Sequence, residues 1–170
     1  MAAYPDRPII FLDVDGTLIP FGSIPGSRGK PTRHTAGSQQ MVSDNPLLDR
    51  LNPEDGPRLR ELGCELVWAT TWMAEANVEI CPRLGLPALP VVGWSDAADE
   101  PLEGLHWKTQ DLVSWAAGRP FIWLDDEIRA TDRDWVATHH TAPALLHHVD
   151  PNTGLSSNDF SRIRQWLSAQ

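Results

Sequence analysis

Two aspartates, Asp13 and Asp15, close the apolar run Ile9-Ile10-Phe11-Leu12 and are followed at once by Gly16 and Thr17. An unbroken β-rich run of this kind reads as a strand buried on both faces, so the carboxylates emerge at its C-terminal end. That is the edge at which open α/β sheets bind ligands. Alternation along a strand would send the two side chains to opposite faces, but Gly16 allows a sharp backbone turn, and both can then border one pocket. Crowded carboxylates repel each other, and a divalent cation with a preference for oxygen relieves that repulsion. The plainer reading, an Asp-Gly turn closing a hairpin, leaves Asp13 without a purpose.

Other polar residues of useful chemistry also fall at the ends of predicted elements. Pro53 to Gly56 starts a short helix bearing Leu59 and Leu62, and Gly63 ends it before a second strand, Glu65 to Thr70. Thr70 therefore stands where that strand finishes. A helix is predicted over Thr71 to Leu84, broken by Gly85-Leu86-Pro87, and a third strand over Leu89 to Val92. His106 to Ala117 reads as a helix with Lys108 in its first turn, and Phe121 to Leu124 as a fourth strand running into Asp125-Asp126-Glu127. A helix around Ile128 to Trp135, a fifth strand near Ala144 to Val149 and an amphipathic helix over Asp159 to Leu167 complete the chain. Alternating strands and helices of these lengths imply right-handed crossovers and a mostly parallel sheet covered on both faces.

In order and type these residues resemble the haloacid dehalogenase-like (HAD) hydrolase superfamily. Its first motif is matched by DVDGTL, its second, a Ser or Thr ending the second strand, by Thr70 in LVWATTW, its third by Lys108 in HWKTQ, and its fourth by Asp125 and Asp126 in WLDDE. The resemblance runs over nearly the whole chain. It implies a Mg²⁺-dependent phosphatase in which Asp13 attacks a phosphomonoester to form an aspartyl-phosphate, and Asp15 protonates the leaving oxygen and then activates water. It also implies that Thr70 and Lys108 hold the phosphate. Asp13, the backbone carbonyl of Asp15, and Asp126 would hold the metal, with Asp125 as the alternative to Asp126 or a residue supporting it. The chemistry suits those types: a carboxylate nucleophile and a phosphate dianion repel each other, so fixed cations and donors must neutralise the phosphate oxygens. Only two of the fourteen basic residues are lysines, and one of them occupies the expected position. Taken singly, a Thr at a strand end, a Lys in a first helical turn and acids before a helix are ordinary structural features; their ordered recurrence after DVDGT is what favours a site.

The expected architecture is a three-layer Rossmann-like α/β domain spanning residues 1–170, with five parallel strands in the order 5-4-1-2-3. The segment from about 20 to 45, rich in Gly, Pro, Ser and Thr, is expected to be an irregular flap or loop, too short for a domain, and no sizeable cap is expected. An open site admits a large phosphorylated substrate as well as a small one. Arg28, Lys30, Arg33 and His34 in that segment could meet a second anionic group, although a solvated loop is the simpler reading.

A formal charge of −9 over 170 residues argues against broad electrostatic binding to nucleic acid or anionic membrane. Nucleic acid thus stands as a permitted but not favoured partner. Cys64 and Cys81 fit no metal spacing and no disulfide framework, which suggests a reducing compartment, and the first residues lack the build of a signal peptide, so a cytoplasmic location is expected. Eight tryptophans against four phenylalanines leave Trp72 and Trp107 beside proposed site residues, where an indole could stack on a base or sugar, though most tryptophans are core. His139-His140 and His147-His148 are read as surface pairs, because neighbours on a strand face opposite ways and cannot share one ion. The rival functions are a non-catalytic module that keeps the fold and binds a phosphorylated ligand, a phosphotransferase, and a phosphatase for nucleic-acid ends.

Overall fold

The computed structural model describes residues 7–22, 45–96 and 101–170. Strand β1 (Ile9–Leu12) is followed, after a 3-10 turn at Pro46–Arg50, by α1 (Asp55–Glu61), β2 (Glu65–Trp68), α2 (Glu75–Glu79) and α3 (Cys81–Leu84). Then come α4 (Thr109–Ala116), β3 (Phe121–Asp125), α5 (Ala130–His139), β4 (Ala144–His148) and α6 (Ser157–Ser168). The strands form one parallel sheet in the order β2-β1-β3-β4.

Alternation along the strands divides the core between the two faces of the sheet. Ile10, Leu12, Leu66, Trp68, Ile122 and Leu124 pack with α1, α3 and α6 on one side, through Leu59, Leu84 and Phe160. Ile9, Phe11, Val67, Phe121 and Trp123 pack with α4 and α5 on the other, through Leu112 and Val136. Every residue of β1 and β3 is buried, which is why both segments read as continuous apolar runs. The result is the expected three-layer α/β arrangement, with β1 in the interior of the sheet and no inserted cap among the described residues. The flap expected at about 20–45, with its cluster of Arg28, Lys30, Arg33 and His34, falls largely at 23–44, outside the described residues.

The expected five-stranded sheet has four strands. The predicted third strand, Leu89 to Val92, is reduced to a single parallel bridge between Trp68 and Val91 at the outer side of β2. Two features cut it short. Pro90 offers a carbonyl to Trp68 N at 2.8 Å but no N–H of its own. Asn77 meanwhile takes both backbone groups of Leu89, accepting from its N–H at 2.8 Å and donating to its carbonyl at 2.9 Å. The single helix predicted over Thr71 to Leu84 is likewise two short helices. Pro82, lacking an N–H, cannot continue the ladder of α2 and instead opens α3, and residues 71–74 form turns in place of a first helical turn. The paired histidines split as adjacent residues must, but one of each pair is buried and not at the surface: His140 Nε2 lies 2.9 Å from the Arg119 carbonyl, and His147 Nε2 2.7 Å from Asp159 Oδ1. Both cysteines remain free, Cys81 buried and Cys64 half-buried. No helix among the described residues is long and apolar enough to cross a membrane.

One core position makes the fold sensitive to pH. Asp55 opens α1 almost fully buried, accepts a hydrogen bond from Asn52 Nδ2 at 3.2 Å, and is pushed up to about 6 chiefly by burial. Its ionised form therefore costs the native state more than the unfolded chain. Between the ordinary aspartate value near ~4 and the native value, the folded protein binds more protons, so stability falls as pH rises through that window. Asp55→Asn is expected to raise the thermal midpoint at neutral pH by a few degrees, about 2–4 °C per kcal/mol for a chain of this length. The advantage should shrink towards about pH 4, where the native carboxyl is protonated, and thermal melts of both proteins across that range check it.

Candidate active site

The C-terminal ends of β1, β2 and β3 bring the sequence-predicted residues to one edge of the sheet. β1 pairs with β2 on one side and β3 on the other, so Asp13 emerges between Ala69-Thr70 and Leu124-Asp125; its N–H donates to the Leu124 carbonyl at 3.1 Å, and Ala69 N–H to the Leu12 carbonyl at 2.8 Å. Beyond Asp13 the chain turns back on itself. The Val14 carbonyl accepts from Leu18 N and Ile19 N, each at 2.9 Å, and Gly16 takes a φ of 76° that a side chain would strain.

Lys108, at the head of α4, reaches across to this edge. Its Nζ lies 2.6 Å from Asp13 Oδ1 and 2.7 Å from Asp125 Oδ2, with only 4% of the lysine exposed. Burial works against the ammonium, but the two carboxylates overcome it and hold Lys108 above the ordinary lysine range. Asp125 is fully engaged: Oδ2 also accepts from Trp123 Nε1 at 3.1 Å, and Oδ1 from Glu127 N at 2.9 Å. Asp126 is different. It is half-buried and pressed against Gly16, where a Cβ would stand 2.4 Å from its Oδ2. Burial, reinforced by the neighbouring Asp125 charge, raises it above the usual carboxylate range.

Carboxylate oxygens of Asp13, Asp125 and Asp126 lie within 4.8 Å of one another. Three acids facing one ammonium leave an excess of negative charge away from water. Burial pushes Asp13 up to about 7, against the opposing Lys108 ammonium and with the Asp125 charge adding to the rise. Such a cluster favours a proton or a cation. Hard oxygen donors at this spacing, one of them uncommitted to other partners, fit a divalent ion of the Mg²⁺ type. Lys108, Trp123 and the Glu127 N–H all donate to Asp125, whereas no other residue among those described donates to the Asp126 carboxylate.

Thr70 is fully buried at the end of β2, whereas its neighbour Thr71 is exposed. The Thr70 Oγ1 accepts from Trp72 N at 3.2 Å, which leaves its hydroxyl hydrogen to donate elsewhere. Asp15 is half-buried, and its Oδ2 accepts from the Trp72 indole Nε1 at 3.0 Å. The indole considered for base stacking is thus tied to the second aspartate of the first motif. Trp107, the other one, packs edge-on against Trp94 and stacks on His106.

Several supporting residues escaped the reading of the sequence. Thr17 Oγ1 donates to Asp13 Oδ2 at 3.4 Å, and its place within DVDGT could have marked it. His106 Nδ1 accepts from Lys108 N at 3.2 Å, while His106 Nε2 faces Glu127 Oε2 at 3.1 Å. Asp132, wholly buried in α5, brackets the lysine: Oδ1 accepts from His106 N and from Thr109 Oγ1, each at 2.8 Å, and Oδ2 from Arg129 N at 2.8 Å. Only the spacing Arg129-x-x-Asp132 at a helix start hinted at it, and that spacing predicts a cap for its own helix, with nothing to connect it to Lys108.

No curated protein and no solved structure matches the chain. One family does match, over residues 9–160, a span that begins with β1 and ends inside α6 and takes in every residue of the cluster around Asp13. The chain belongs to the HAD-like hydrolases, in the family described as the HAD domain in Swiss Army Knife RNA repair proteins.

Proposed function

We propose that this protein is a Mg²⁺-dependent phosphatase that hydrolyses a phosphomonoester through Asp13, and that a terminal phosphate of RNA is the substrate to which its family points. The observation that supports it best is the buried Lys108 ammonium 2.6 Å from Asp13, with Asp125 and Asp126 gathered round the same carboxylate. Lys108 pairs with Asp13 and Asp125, and Asp126 adds a third carboxylate that a structural ion pair does not call for.

Lys108 engages Oδ1 of Asp13, and Thr17 approaches Oδ2 only at 3.4 Å, so Oδ2 is the less encumbered oxygen for attack on phosphorus. Attack forms the Asp13–phosphorus bond as the ester P–O bond breaks, and Asp15 gives its proton to the departing oxygen. Asp15 then takes a proton from water, which attacks the aspartyl-phosphate and releases inorganic phosphate, so that one difficult displacement becomes two easier ones. Thr70 has a hydroxyl hydrogen to offer a phosphate oxygen, and Lys108 lies beside Asp13 to neutralise charge developing there. Asp13, the Asp15 carbonyl and Asp126 would hold Mg²⁺, while Asp125 keeps Lys108 in place. A bound Mg²⁺ would supply the charge neutralisation that lets a dianion approach a carboxylate.

RNA as substrate must be reconciled with a net charge of −9. A terminal phosphate needs only the local cations, and nothing in the composition favours attraction along the rest of a strand. The binding-module alternative has no use for a second aspartate beside the first and a buried lysine on the first.

Purified protein assayed with Mg²⁺ on 3′- and 5′-phosphorylated oligoribonucleotides, nucleotides and small phosphate esters tests the proposal. Release of phosphate from RNA ends that Asp13→Asn reduces to background supports it, and turnover that survives Asp13→Asn overturns it. KM for the oligonucleotide should not climb with added salt as counterion release from many phosphate contacts would demand.

Mg²⁺ is also expected to raise the thermal midpoint, by up to about 2.7 kcal/mol of stabilisation at a hundredfold excess over its Kd. Asp126→Asn should remove most of that shift in a melt with and without the ion. Gly16→Ala, which forces a Cβ onto Asp126, is expected to lower kcat/KM about 100-fold.

A further inference from the structure

The turn after β2 holds a strained residue and an indole whose polar edge points at the first motif. Met73 has a φ of 50°, a left-handed backbone that residues with side chains seldom adopt. Such strain persists only where its surroundings hold it. Here Thr70 does so, accepting from Trp72 N through Oγ1 at 3.2 Å and from Met73 N through its carbonyl at 3.3 Å. The flank of the Trp72 ring packs against the core on the α6 side of the sheet, and its Nε1–H reaches Asp15 Oδ2 at 3.0 Å, joining residues 57 apart in the chain.

An indole donates a hydrogen bond and accepts none. Oδ2 of Asp15 is therefore held as an acceptor, and no other side chain among the described residues donates to this carboxylate. We infer that Trp72 is a positioning residue for proton transfer: its N–H fixes the Asp15 carboxyl so that Oδ1 is the oxygen presented to the leaving group. The inference rests on the reading of Asp15 as acid and base given above. As the ester P–O bond breaks, the Oδ1 proton passes to the departing oxygen and the carboxylate left behind is still anchored by the indole.

Leaving-group dependence separates this role from simple packing. An alkyl phosphate, such as glycerol phosphate or an RNA 3′-phosphate, needs its departing oxygen protonated, whereas the nitrophenolate of p-nitrophenyl phosphate leaves without a proton. kcat/KM covers binding and the steps up to that departure, so the change in the ratio of kcat/KM for the two esters on substitution cancels the terms both proteins share and reports the acid step. The ratio is also independent of the folded fraction. Trp72→Phe in the full chain with Mg²⁺ is expected to lower the alkyl-to-aryl ratio about tenfold or more, within the range that a placed general acid contributes. An unchanged ratio overturns the inference, and Trp72→Leu, which likewise removes the donor, serves for the same measurement if the phenylalanine variant does not fold. Asp15→Asn is the control: a selective loss on the alkyl ester upholds Asp15 as the acid whatever Trp72 does, and its absence overturns both readings.

Discussion

An ammonium group buried between two carboxylates is expensive unless all its partners are in place, and this constraint organises the edge of the sheet around Lys108. Removing water from the ion pair strengthens the attraction but penalises any charge left over. Asp13 and Asp125 come from β1 and from the end of β3, and the lysine from the head of α4, so the interaction binds a helix to neighbouring strands. The supporting contacts follow from it. Asp132 and His106 hold the chain on either side of Lys108, and Trp123 with Glu127 N saturates Asp125. Among the described residues no other group donates to Asp126, and the surplus negative charge is the physical reason the cluster suits a cation.

Much of the site could be read in the chain because its residues stand at the ends of buried strands. Ile9 to Leu12 and Phe121 to Leu124 have compositions that only an interior strand accommodates, so the polar residues that end them had to emerge at one edge. The third expected strand failed for a reason a local pattern cannot reveal. Asn77, more than ten residues away, captures the backbone of Leu89 with its side chain, a tertiary contact that competes with the ladder. The helix after Thr70 failed more locally, at Pro82 and in the strained turn at Met73.

The supporting residues were the least legible. Trp72 and His106 belong to types that usually pack, and their hydrogen bonds to Asp15 and to the Lys108 backbone depend on where distant segments meet. Asp132 looks like a residue that closes the first turn of its own helix, and it does so through Arg129 N, yet its other oxygen is committed to α4. A single carboxylate serves two elements, and a sequence pattern reports only the nearer one.

The sheet order has a consequence for how the protein assembles. β1, first in the chain, lies between β2 and β3, and its aspartate meets a lysine 95 residues later. Few of these pairings are local, so the entropy of closing long loops must be met before they form, and folding is expected to be slow for a chain of this size. Until β3 docks beside β1, the acids are separate, hydrated and harmless. The cluster therefore comes together only once β3 has joined the sheet, and a chain ending before Asp125 cannot assemble it.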